Sequence, residues 1–144
     1  MAAASAPFGV YVHVPFCTTR CGYCDFNTYT ATELGDDVRR DTFADVLCSE
    51  MRVATASLGA DVRPASTVFV GGGTPTLLAA HGLTAVLDGV RATFGLASDA
   101  EVTTEANPDS VDPPLLDALL AAGYTRISLG MQSSSSRVLA VLDR

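Results

Sequence analysis

Lysine is absent from these 144 residues. All nine basic residues are arginines, scattered along the chain, and they face sixteen acidic residues for a net charge of −7. A nucleic-acid partner needs a concentrated basic surface against its phosphates, so this balance argues against one. Charge of either sign is scarce, at 17% of residues beside 48% hydrophobic, and that composition excludes a disordered chain. Long apolar runs are missing as well; none approaches the ~20 residues of a membrane span. The opening Met1 to Pro7 has no basic residue and no apolar core, as a secretory signal would, and no arginine, as a transit peptide would. Four cysteines without a secretion signal imply a reducing, cytoplasmic setting and metal chemistry, not a disulfide framework.

What is present is concentrated in one stretch. Cys17, Cys21 and Cys24 lie within eight residues, spaced C-x3-C-x2-C, in a loop that follows an apolar strand-like segment. Four-iron cubanes are usually held by four cysteines. Three would leave one iron open, and an open coordination position is what a catalytic metal site keeps. Two other readings stand beside this one. Zinc would need a fourth ligand, for which His13 is the nearby candidate, although it precedes the loop in a strand. Cys21 and Cys24 form a C-x2-C pair that can work as a redox disulfide, which leaves Cys17 without a purpose.

The remaining chain alternates strands and helices. Residues 8–16 read as a strand with Val10, Val12 and Val14 on one face and Tyr11 and His13 on the other. Pro15 ends its pairing. Thr28 to Gly35 reads as polar and irregular. A helix is predicted over 36–58, started by Asp36 or Asp37 and stopped by Gly59. Its apolar stripe has Cys48 beside it, which reads as a small core residue. Residues 66–70 read as a buried strand running into Gly71-Gly72-Gly73-Thr74-Pro75-Thr76. A helix over 77–94 follows, with His81 expected to be exposed or capping. Residues 101–106 form a third strand. Asp112 caps a third helix that has Pro113 and Pro114 in its first turn and Gly123 at its end. Residues 125–132 are the fourth strand, with Ile127, Leu129 and Met131 on one face. A fourth helix is expected from near Arg137, with the chain ending inside it.

This order predicts an α/β fold of about four βα units with parallel strands. Full eight-unit barrels run at ~30 residues per unit, which is the pitch here. The expectation is therefore a short tail over 1–7 and an incomplete (β/α) barrel core over 8–144, the N-terminal part of a longer enzyme. Parallel strands buried on both faces normally read as continuous apolar runs. Three of these strands alternate instead, with Tyr11, His13, Thr103, Glu105, Ser128 and Gln132 on the second face. A polar inner wall of this kind suits a polar ligand.

Five motifs carry a family resemblance. They are Tyr11-Val-His-Val-Pro-Phe-Cys17, Cys21-Gly-Tyr-Cys24-Asp-Phe26, Val70-Gly-Gly-Gly-Thr-Pro-Thr76, Glu105-Ala-Asn-Pro108 and Ser128-Leu-Gly-Met-Gln132. Together, in this order, they resemble the oxygen-independent coproporphyrinogen III oxidase family of the radical S-adenosylmethionine (SAM) superfamily, with its heme chaperone branch. The resemblance implies a TIM-like partial barrel. It implies a [4Fe-4S] cluster on Cys17, Cys21 and Cys24, and SAM bound by its amino and carboxylate groups to the open iron. An electron from the cluster would cleave SAM to methionine and a 5′-deoxyadenosyl radical. Tyr11, Tyr23, Gly72, Gly73, Thr74, Glu105, Gln132 and Arg144 match the family's SAM-pocket positions.

One position separates the branches. The oxidase has a further cysteine two residues after the third ligand, where this chain has Phe26, and it has an N-terminal arm where this chain has seven residues before Phe8. Both features resemble the heme chaperones, which bind heme and are thought to deliver it to a respiratory protein. Such a partner implies peripheral association with a membrane. The alternative is a coproporphyrinogen III dehydrogenase, an oxidoreductase converting propionates to vinyls. Heme- or porphyrin-contacting residues are expected beyond Arg144.

Overall fold

The computed structural model describes residues 6–34, 39–59 and 62–144. Four strands form one parallel sheet: β1 (Gly9–Val14), β4 (Ala65–Gly72), β5 (Leu96–Ala106) and β6 (Arg126–Leu129), in that spatial order. Among the described residues five α-helices accompany them: α1 (Ala31–Leu34), α2 (Phe43–Leu58), α3 (Ala79–Thr93), α4 (Pro113–Ala122) and α5 (Ser136–Val141). The parallel α/β architecture read from the alternation of strand and helix is the one observed.

One face of the sheet makes the core. Val12, Val14, Val68, Val70 and Val102 pack against Leu83, Val86, Leu87 and Val90 of α3, with Leu47 and Met51 of α2 and Leu119 of α4. The opposite face carries Tyr11, His13, Phe69, Glu105 and Ser128, none of them fully buried, together with Thr103, which is shut off from solvent. The alternation in the sequence thus separates a helix-covered apolar face from an open polar one.

Several boundaries differ from the sequence reading. Asp36 and Asp37 lie outside the described residues; the described helix begins at Phe43, after a single 3-10 turn at Arg40–Thr42. The stretch from Thr28 is not wholly irregular. It contains β3 (Tyr29–Thr30), paired in parallel with β2 (Phe16–Cys17), and then α1. β5 starts five residues before the expected strand, because Leu96 pairs beside Ala65. β6 is shorter than 125–132. Only Arg126 to Leu129 pair, and Gln132 sits at φ +62°, outside any strand. Leu129 and Met131 remain 53% and 58% exposed, so the expected apolar face of this strand is covered only at Ile127. α5 closes at Val141, and the last residues leave it: the Arg144 N–H donates back to the Leu139 carbonyl at 2.9 Å.

Asp112 caps α4 as expected, accepting the Leu115 N–H at 2.9 Å, and Gly123 ends that helix. The next residue, Tyr124, is 3% exposed and donates its hydroxyl to the Leu83 carbonyl at 2.8 Å. This bond ties the turn before β6 to α3. Tyr124→Phe is expected to cost about 1 kcal/mol, the net worth of one buried hydrogen bond. Urea unfolding of the two proteins would show it as a lower midpoint at an unchanged slope.

Candidate functional site

The cysteine loop begins where β1 ends. Pro15 has no N–H to give, but its carbonyl accepts the Tyr29 N–H at 2.7 Å. With the β2–β3 pairing, that bond folds the segment from Cys17 to Thr30 back on itself. Inside the loop the Cys24 N–H donates to the Cys21 carbonyl at 3.1 Å, a tight turn that puts two cysteines on one bend. Arg20 braces the base, donating to the Thr28 carbonyl and pairing with Glu33 at 3.5 Å.

The loop closes one wall of a cavity of about 390 Å³. The other walls are the C-terminal ends of the strands: Gly72 to Thr74 after β4, Glu105 to Asn107 at β5, and Ser128 to Gly130 with Gln132 after β6. Ligands of open parallel sheets bind at this end, where the chain leaves each strand for its helix. Cys17, Cys21, Cys24, Tyr23, Gly72, Gly73, Thr74, Glu105, Gln132 and Arg144 all line this cavity. Residues up to 127 positions apart in the sequence, from Cys17 to Arg144, are brought to one site.

Tyr11 is the exception. It is not among the residues lining this cavity. Its hydroxyl bonds His13 Nδ1 at 2.9 Å, its ring stacks on Phe69 at 6.2 Å, and it borders a second cavity of about 370 Å³ beside α2. Burial pushes its hydroxyl above the ordinary tyrosine range, and Glu105 adds to the rise.

The geometry also weighs the three readings of the cysteines. All four cysteines are free thiols. His13 Nε2 meets the Asn27 carbonyl at 2.8 Å, an acceptor only, so Nε2 carries the proton. Nδ1 then accepts from Tyr11, and His13 has no lone pair to spare for zinc. Among the described residues, no three His, Cys, Asp or Glu side chains converge as one metal ion requires. Cys17, Cys21 and Cys24 share one cavity wall; in a polynuclear cluster each thiolate would take its own iron. Cys48 lies elsewhere, at the contact of α2 with α3, where a Cβ on Gly89 would sit 2.6 Å from its sulfur.

The surroundings of the thiols include Thr28, which the sequence did not mark. Burial pushes the Cys17 thiol up, and the neighbouring Thr28 and Thr74 hydroxyls oppose that. Thr28 is 1% exposed and Thr74 4%. The β2–β3 pairing carries Thr28 to the cysteine loop, and two residues are too few to show a period. Arg144 Nη1 donates to Cys21 Sγ at 3.1 Å, while the Gly22 N–H takes the Leu142 carbonyl at 3.1 Å. The segment after α5 thus clasps the cysteine loop.

The glycine run serves close approach. Gly72 has φ +118°, a region open to glycine, and its N–H donates to Glu105 Oε2 at 3.0 Å. A side chain there would strike the Val14 carbonyl and the His13 ring. Glu105 is therefore aimed along the cavity rim by a backbone contact, with acceptor capacity left over.

Comparison with known proteins agrees with this picture. The model of the Radical SAM superfamily matches residues 11–144. A heme chaperone, HemW, of Mycobacterium tuberculosis is 58% identical over 138 residues, covering 96% of this chain and 35% of the relative. The HemW of Escherichia coli is 41% identical over 138 residues, again 96% of this chain and 35% of the relative. Among solved structures, coproporphyrinogen III oxidase (HemN) from Escherichia coli, a radical SAM enzyme, superposes with a TM-score of 0.77 at 31% identity, covering 96% of this chain and 31% of that one. The chain thus spans about a third of the length of these relatives.

Proposed function

The chain belongs to the radical SAM superfamily, and from that premise we propose that it is the cluster- and SAM-binding part of a heme chaperone. One observation carries the reading: the three cysteines of the C-x3-C-x2-C loop share a single cavity with the glycine run, Glu105, Gln132 and Arg144. The 58% identity to a heme chaperone, beside 31% to the oxidase, supports that branch. So does Phe26, which stands exposed in the cavity wall where the oxidase has a cysteine.

Cys17, Cys21 and Cys24 would each hold one iron of a [4Fe-4S] cluster, leaving the fourth for the amino and carboxylate groups of SAM. When bound, the cluster supplies a low-potential electron to SAM. The chain's own residues place the substrate. Backbone groups of Gly72 and Gly73 would let the methionine part approach closely, because neither carries a side chain, with Thr74 beside them. Glu105, already taking one N–H from Gly72, accepts further hydrogen bonds from an amine or hydroxyls. Tyr23 covers the loop side, and Gln132 and Arg144 close the far wall. Tyr11 acts at one remove, through His13 and the Asn27 carbonyl at the loop's foot. Heme, its delivery to a respiratory protein and membrane association through that partner belong to this proposal for the whole protein. Among the described residues no helix is long and apolar enough to cross a membrane.

The second reading is coproporphyrinogen III dehydrogenase, favoured by the TM-score of 0.77 to the oxidase. The full chain, reconstituted anaerobically with iron and sulfide, separates the two. Given coproporphyrinogen III, SAM and a low-potential reductant, the chaperone makes no protoporphyrinogen, and it retains heme through gel filtration. Multiple turnovers to product would replace the chaperone with the oxidase.

A further inference from the structure

One row of side chains crosses the open face of the sheet. Tyr11 of β1 pairs with Phe69 of β4, Phe69 with Thr103 of β5, and Thr103 with Arg126 of β6. The row begins in aromatic surface. The Tyr11 ring stacks on Phe69 with 24° between the planes, yet Tyr11 stays 60% exposed. Its hydroxyl is engaged by His13, while its ring remains open. The row ends in a cation. Arg126 Nη1 donates to Thr103 Oγ1 at 3.4 Å, so the half-exposed guanidinium side chain lies back over the middle of the row. Glu101 faces it at 3.7 Å, an exposed pair that costs little to open. Gly71 joins the row to the cysteine cavity. It is the member of the glycine run that does not line that cavity. A Cβ on it would lie 2.7 Å from the Phe69 ring and 2.7 Å from Glu105 Oε2, so the bare backbone lets both side chains close over it. Glu105 and Ser128, each two residues beyond Thr103 and Arg126 on the same strands, are already cavity wall.

We propose that this row is a platform for the flat ring of heme, with Arg126 taking one of its propionates. The inference rests on the heme chaperone reading above. It puts part of the heme contact inside this chain, where the sequence reading looked beyond Arg144. Three observations select the ligand. Exposed aromatic faces take flat conjugated rings by stacking. Two strand spacings, about 10 Å, separate Tyr11 from the guanidinium over Thr103, so a ligand meeting both is wider than a single ring. The guanidinium already shares its charge with Glu101, which suits a singly charged carboxylate better than a dianionic phosphate.

The probes are iron protoporphyrin IX and its dimethyl ester, titrated by absorbance into the full chain. Coordination of the iron is common to both, so their difference reports the carboxylates alone. Arg126→Gln is expected to weaken the free acid about tenfold and leave the ester unmoved. Glu101→Gln still accepts from Thr103 but frees the guanidinium. It is expected to tighten the free acid about threefold, again without effect on the ester. Phe69→Leu is expected to weaken both probes alike, by about threefold to tenfold. A wild-type protein that binds neither probe would overturn the chaperone reading itself. Wild-type binding with the acid-to-ester ratio unchanged in Arg126→Gln and in Glu101→Gln would overturn the inference alone. Where Arg126→Gln does not fold, Glu101→Gln decides, because that side chain is exposed and keeps its size.

Discussion

Cys21→Ala is expected to abolish iron–sulfur incorporation, while Cys48→Ala leaves it intact. Both are half-buried free thiols, so accessibility does not separate them. Position does. Cys21 shares its cavity with Cys17 and Cys24, whereas Cys48 faces α3 at the contact of two helices. With Cys21 gone, two thiolates remain for the cluster, and two do not hold a cubane that normally takes four protein ligands. Arg144 also loses its sulfur acceptor, which loosens the clasp of the last residues on the loop. The assay is iron and acid-labile sulfide per chain after anaerobic reconstitution, with the brown absorption of the cluster as a visible check. Equal loss in both variants would refute the separation of roles.

Gly73→Ala is expected to be nearly as damaging, although it adds one methyl group. A Cβ at this position would lie 2.3 Å from the Phe16 carbonyl oxygen, 2.8 Å from its carbon and 2.9 Å from Cys17 Sγ. Two of these neighbours are backbone, so no rotamer relieves the clash. Movement of either chain breaks the Gly73 N–H to Val14 carbonyl bond at 2.8 Å and the Thr74 N–H to Phe16 carbonyl bond at 2.7 Å. Overpacking of this kind costs about 1–3 kcal/mol, and more where backbone must shift. The loop carrying Cys17 is displaced in the same motion. The expected outcome is a lower urea midpoint for the metal-free protein together with loss of iron uptake. A variant with the unfolding midpoint and iron content of the wild type would show that the strand end tolerates a side chain.

These two outcomes draw on different levels of the molecule. The cysteine spacing was visible in the chain, and so was the order of strands and helices. Valines at alternate positions in β1 announced a buried face, and they occupy one. Asp112 announced a cap because an aspartate before two prolines has few other uses, and its carboxylate accepts the Leu115 N–H. The gathering of Gly72 to Thr74, Glu105 and Gln132 into one site was legible only through the family resemblance, since nothing in spacing alone joins positions 72 and 132. Tyr11 matched a pocket position by sequence, yet its side chain turns to His13 and Phe69 and borders a different cavity. Thr28 carried no signal, because a single hydroxyl has no period and its partner is chosen by the fold.

By itself the sequence determined the class of the fold and the spacing of the three thiols in the loop. Periodicity and the spacing of three thiols are local properties, written in neighbouring residues. Only the tertiary structure decided where the cavity lies, which residue donates to Cys21, and that His13 is already committed on both nitrogens. Those contacts join the ends of separate strands. They exist only after burial of the valine face has fixed the strand ends within hydrogen-bond reach of one another.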